Sequence, residues 1–133
     1  MNSDEAGKTL TDRVYERQSA IIRKLADEGP GIFVGRCADY VLGDYTNCIN
    51  TFIYAYKEDR IRRIMKLYKL DEKQAADKIR KTDRDRKNYY EARTKRQWGG
   101  IDANSMMFNA SLLGIDGVVD ALEAIYRKWE IRE

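Results

Sequence analysis

The sequence predicts an α/β fold in which short parallel strands alternate with helices and one long helical arm carries most of the positive charge. Three observations point there. Two apolar runs, GIFVG at 31–35 and CINTFIYAY at 48–56, read as buried strands. The twelve residues between them are too many for a hairpin turn, which favours a parallel connection. Around these runs the apolar residues recur at helical spacing, so helix and strand alternate along the chain.

In order, 12–28 places Val14, Ile21, Ile22 and Leu25 at helical intervals, and Gly29-Pro30-Gly31 stops that helix. The first strand follows at 31–35, short helical matter at 38–42, and the second strand at 48–56. Ile61, Ile64, Met65 and Tyr68 mark a helix over 58–68, broken at Lys69-Leu70-Asp71. Asp71 is the expected N-cap of the next helix, which turns Ala75 and Ile79 inward and runs on into the basic arm. QWGGIDANS is a loop whose Gly99 and Gly100 offer a hinge, and MMFNAS at 106–111 is a third strand. The last helix carries Val118, Leu122, Ile125, Tyr126 and Trp129 on one face, with Asp116 near its positive end.

A length of 133 residues, 43% hydrophobic and 35% charged, fits a single domain with one core. The net charge of +3 excludes a protein that coats DNA but suits a local anionic ligand. No apolar run is long enough to span a bilayer, and MNSDEAGKTL lacks the basic start and apolar centre of a signal peptide. Cys37 and Cys48 lack the paired spacing of zinc or redox motifs, so they read as reduced thiols in a cytoplasmic protein. Histidine is absent, which excludes His-dependent triads, and no metal-ligating set is read.

The arm at 80–96, RKTDRDRKNYYEARTKR, gathers eight Lys or Arg against three acids. Guanidinium forks match phosphate oxygens bidentately, so this density suits a phosphate clamp; the alternative is a solvated helix laced with ion pairs. In open parallel sheets ligands bind beyond the carboxyl ends of the strands. Arg36 and Asp39 follow the first strand, Lys57 to Arg60 the second, and Asn109 and Ser111 the third, so all of these line one predicted crevice. Arg60 and Arg63 stand one turn apart on a helix. Tyr89 and Tyr90 beside the basic run could stack on a base. Gly7-Lys8-Thr9 imitates the end of a phosphate loop, but Asn2 stands where its first glycine belongs, so it is read as coincidence.

Taken together, GIFVGRCADYVL, FIYAYKEDRIRRIM, KTDRDRKNYY and SLLGIDGVVD resemble the cytidylate kinase-like family of P-loop nucleoside monophosphate kinases. The resemblance implies a three-layer parallel-sheet core of the P-loop kinase type, truncated at its N-terminus. It divides the single domain 1–133 into a core (12–79 and 98–133) and a lid-like arm (80–97). It also implies that Gly35, Arg36 and Asp39 face the acceptor nucleotide, that Arg60 and Arg63 lie near phosphates, and that Arg84 and Arg86 act on the phosphoryl group in transit. Lys81 stands where the family often has another lid arginine, and Asp83 and Asp85 would orient those arginines or the acceptor sugar. ATP and Mg²⁺ are the cofactors so implied, with CMP or a similar nucleoside monophosphate as acceptor.

Family members begin with a strand and a glycine-rich loop that this sequence does not show. In that fold the first strand lies between the strands at 31–35 and 48–55, so its absence would leave a gap in the sheet. The expectation is therefore a partial chain that does not phosphorylate by itself, with an apolar edge that gives room for a homodimer. Two other function classes stay open. One is a non-catalytic nucleotide-binding or regulatory module; the weaker one is a small nucleic-acid-binding domain using the arm with Tyr89 and Tyr90.

Overall fold

In the computed structural model, which describes residues 7–131, the elements run α1 (Leu10–Glu28), α2 (Ala38–Val41), β1 (Thr51–Tyr54), α3 (Lys57–Tyr68), α4 (Glu72–Thr94), β2 (Met106–Asn109) and α5 (Ala110–Ile131), with a 3-10 turn at Ile101–Ala103. Helices dominate, and the described sheet has two strands.

Two helix starts follow from local chemistry. The Thr9 hydroxyl accepts from the Asp12 amide at 3.1 Å while the Asp12 carboxylate accepts from the Thr9 amide at 3.0 Å. This reciprocal cap starts α1 two residues before the expected Asp12 and uses Thr9 as a cap. Asp71 and Gln74 form the same arrangement at the start of α4, at 2.8 and 3.1 Å, as the N-cap expectation required. From there α4 runs unbroken to Thr94, so the residues expected as core and as arm share one rigid helix.

β1 and β2 pair in parallel, with Thr51 opposite Met106 and Tyr54 opposite Asn109. Serines close both ends of the pair. The Ser105 amide donates to the Asn50 carbonyl at 2.7 Å, and the Ser111 hydroxyl accepts from the Tyr56 amide at 2.8 Å. The parallel pairing expected of the first and second apolar runs is not formed; the parallel pair joins the second and the third.

The first run is not a strand. Residues 31–35 keep a strand's alternation, with Phe33 turned to the core and Ile32 and Val34 exposed at 94% and 88%, but form no ladder. A strand exists only by pairing its backbone groups, and the one ladder formed by β1 is with β2. The expected three-strand sheet is corrected to two, and the second strand shortens from 48–56 to Thr51–Tyr54.

The core joins α1 to α2: Ile22, Ala38, Val41 and Leu42 are buried, with Tyr15, Ala26, Phe33, Tyr45 and Cys48 packed around them. Burial of Ala75 and half-burial of Ile79 match the expected inward face of α4. The expected face of α5 is met at Val118, which is 3% exposed, but not at Tyr126, which is exposed at 43% and leans on Trp129 with ring centroids 6.4 Å apart. Gly114, at φ +71°, breaks α5 near its start, so the residues before and after it do not share one helical face.

Candidate functional site

The segment after Val34 turns sharply before α2. Gly35, Arg36 and Cys37 all hold left-handed backbone, at φ 71°, 57° and 58°. For the two non-glycine residues that conformation costs about 1–2 kcal/mol each, strain that a fold retains where the turn is over-determined. The turn leaves Arg36 exposed and buries Cys37 as the N-cap of α2. Burial, followed by the charge of Asp39, pushes the Cys37 thiol up, and burial does the same to Cys48, so both stay protonated and neither is an activated nucleophile.

Asp39, in the first turn of α2, meets α4. The Tyr90 hydroxyl donates to Asp39 Oδ2 at 2.6 Å, across 51 positions of sequence. Beside it, the Arg96 guanidinium lies 5.3 Å over the Tyr40 ring. Arg93 donates to Asp12 Oδ1 at 2.6 Å and lies 4.9 Å over Tyr15 and 5.6 Å over Tyr89. The C-terminal end of α4 is thereby fastened to both α1 and α2.

The second junction lies nearer the middle of α4. Arg60, near the start of α3, grips Asp83 with both Nη atoms at 2.6 and 2.8 Å, the two side chains 37% and 26% exposed. The Asp83 carboxylate raises the Arg60 pKa by hydrogen bonding and charge. A guanidinium fork filled by a carboxylate is the geometry in which it would grip phosphate. On the same helix Arg62 pairs with Asp59, while Arg63 is exposed.

Asp83 and Tyr90 are seven residues apart, so they share one face of α4 about 10 Å apart along its axis. Arg86 and Lys87 fall between them on that face, both exposed. Lys81, Arg84 and Asp85 are also exposed, Arg84 Nε lying 3.9 Å from Asp85. The structure thus brings together Arg60 with Asp83 and Asp39 with Tyr90, and leaves Arg36, Arg63, Lys81 and Arg86 without a carboxylate partner among the described residues.

Other expected site features serve the fold. Ser111 and Asn109 close the end of the sheet, the Asn109 side chain accepting from the Ser111 amide at 3.0 Å. Lys8 pairs with Glu16 at 2.8 Å. Gly99, at φ +72°, sits where an added Cβ would lie 3.0 Å from the Phe52 ring, and Phe52 meets Trp98 edge-on at 5.3 Å, so the expected hinge is a packed corner. Sequence reasoning missed the roles of Tyr90, Arg93 and Asp12. The available signal was the i, i+4 pair Tyr90 and Thr94, both buried, which mark a second inward face on the arm.

Comparison with known proteins gives the setting for this geometry. Residues 1–112 match the model of the cytidylate kinase-like family. No curated protein matches the chain. Among solved structures, that of an uncharacterized protein from Eubacterium ventriosum ATCC 27560 is similar with a TM-score of 0.85 and 27% identity, over 91% of this chain and 69% of that chain.

Proposed function

The chain belongs to the cytidylate kinase-like family, and from that premise we propose that it binds a nucleoside monophosphate, CMP or a similar one, as the acceptor of a phosphoryl group from ATP. Arg36 and Asp39 take the acceptor, with Gly35 supplying the turn. Arg60 and Arg63 take phosphate oxygens, and Lys81, Arg84 and Arg86 balance charge on the group in transit. Positioned cations over developing phosphoryl charge are the main catalytic device in such transfers.

One observation carries this reading. A single face of α4 holds Asp83 and Tyr90 at two anchor points, Arg60 and Asp39 grip them, and the cations Arg86 and Lys87 lie exposed in between. That stripe gives a phosphate a positive floor with a carboxylate at each end to accept from donor groups of the ligand.

ATP and Mg²⁺ enter through family membership alone. Among the described residues no three Cys, Asp or Glu gather as metal ligands. Gly7-Lys8-Thr9 works as helix cap and ion pair, so a donor-phosphate loop is not assigned to it. The proposal is therefore that these 133 residues bind the acceptor without turning it over. No helix among the described residues is long and apolar enough to cross a membrane.

Calorimetric titration with CMP tests the reading. Saturable binding that disappears in Arg36→Ala supports it, and a folded chain that ignores CMP overturns it. The same titration with ATP and Mg²⁺ separates a kinase half from a nucleotide-binding regulatory module. The exposed cations on α4 also favour a test for nucleic acid: binding of a short single strand that falls steeply with salt would move the assignment there.

A further inference from the structure

We propose that Tyr90 is a positioning residue for the acceptor nucleotide: its hydroxyl holds Asp39 Oδ2, leaving Asp39 Oδ1 aimed at a donor group of the ligand and tying the acceptor loop to the arm. The inference rests on the acceptor-site reading above and goes beyond it by giving a residue that anchored the arm there a part in orienting the ligand.

An aspartate on the first turn of a four-residue helix has little of its own to fix it. Its χ angles are set by whatever grips the carboxylate, and in this structure that grip is one hydrogen bond of 2.6 Å from a side chain that is itself 9% exposed. Among the described residues only Oδ2 accepts a hydrogen bond, so the other oxygen keeps its lone pairs for a sugar hydroxyl or an exocyclic amino group. The donor is dependable, since burial and the Asp39 hydrogen bond push the Tyr90 pKa up to about 12 and the hydroxyl keeps its proton throughout the physiological range.

Tyr90 is in turn held by its own helix end. The Thr94 hydroxyl donates to the Tyr90 carbonyl at 2.8 Å and accepts from the Arg96 amide at 3.1 Å, which sends Arg96 back over Tyr40. Two consecutive residues of α2, Asp39 and Tyr40, are thus clasped by Tyr90 in α4 and by Arg96 just beyond its end. Arg93 on Asp12 fixes the same end to α1. Any ligand that loads Asp39 is consequently registered at the end of the helix that carries Arg86 and Lys87.

The test titrates wild type, Tyr90→Phe and Arg36→Ala with CMP and, separately, with inorganic phosphate, following amide chemical shifts. Phenylalanine keeps the ring and removes only the hydroxyl. The expected result is a CMP dissociation constant raised about tenfold in Tyr90→Phe, with the phosphate response unchanged. A merely structural role predicts that both ligands weaken together, and that outcome overturns the inference. CMP binding within about twofold of wild type in Tyr90→Phe, while Arg36→Ala abolishes it, overturns the inference and leaves the acceptor site standing. Absence of CMP binding in the folded wild type overturns both.

Discussion

Arg60 and Asp83 stand face to face between α3 and α4, with two parallel N–H···O contacts of 2.6 and 2.8 Å, and each is the best available partner for the other until a competing anion arrives. A carboxylate in a guanidinium fork occupies the same donors that a phosphate would take. The pair ties the arm to α3, and under the proposed phosphate role of Arg60 it would also keep that fork organised.

These two roles predict opposite effects for the two partners. Asp83→Ala frees the fork and should strengthen inorganic phosphate binding several-fold, whereas Arg60→Ala should abolish it. Both should lower stability by only about 1 kcal/mol, because solvent screens a pair this exposed. Phosphate titration of the two variants checks the prediction, and equal weakening in both would remove Arg60 from the phosphate site.

Asp12 predicts an acid-sensitive arm. Its pKa is lowered from 3.8, first by the Thr9 backbone hydrogen bond and then by Arg93. A depressed folded value means that ionised Asp12 stabilises the fold above 3.8 and that this contribution is lost as pH falls from there through the lower, folded value. Protection of amides 90–94, taken relative to the intrinsic exchange rate at each pH, should therefore fall below pH 3.8 in wild type. In Asp12→Asn that protection should already be lower at neutral pH and change little on acidification.

At the alkaline end the relevant group is Tyr90, with its pKa pushed up to about 12, chiefly by burial and then by Asp39. A raised folded value means that the neutral hydroxyl contributes stability fully below 10.0, and that the contribution is lost as pH climbs toward 12. Ultraviolet titration of the nine tyrosines should show a late-ionising component that is missing in Tyr90→Phe. A late component that persists in the variant would belong to Tyr15 or Tyr45, whose values are also raised.

What was legible in the sequence is what local chemistry decides. The Asp71 cap, the inward Ala75 and the stop at Gly29 each depend on neighbours within four residues, so spacing alone places them. The failure at 31–35 has a different cause. Ile32, Phe33 and Val34 have strand composition and strand alternation, but a strand also needs a partner backbone, and no pattern within the run says whether one is beside it. The site divides the same way. Arginine density on the arm was visible, but the Asp39–Tyr90 contact spans 51 positions, and only the packing of α4 on α2 makes it.

The exposed arm arginines carry the last prediction. Among the described residues Arg84 and Arg86 make no ion pair beyond the 3.9 Å approach of Arg84 to Asp85, so replacing either with alanine should leave the unfolding midpoint nearly unchanged. Alanine also propagates a helix at least as well as arginine, which removes the usual structural penalty. In a version of the protein that transfers phosphate, the same substitutions should lower turnover more than about tenfold, since a cation that meets charge only in the transition state acts on kcat. The two residues differ in direction: Arg86 shares the Asp83–Tyr90 face of α4, and Arg84 points about a quarter-turn away from it. Loss of kcat in Arg86→Ala with Arg84→Ala unaffected would confine phosphoryl chemistry to that face, and an unchanged rate in both would remove the arm from catalysis.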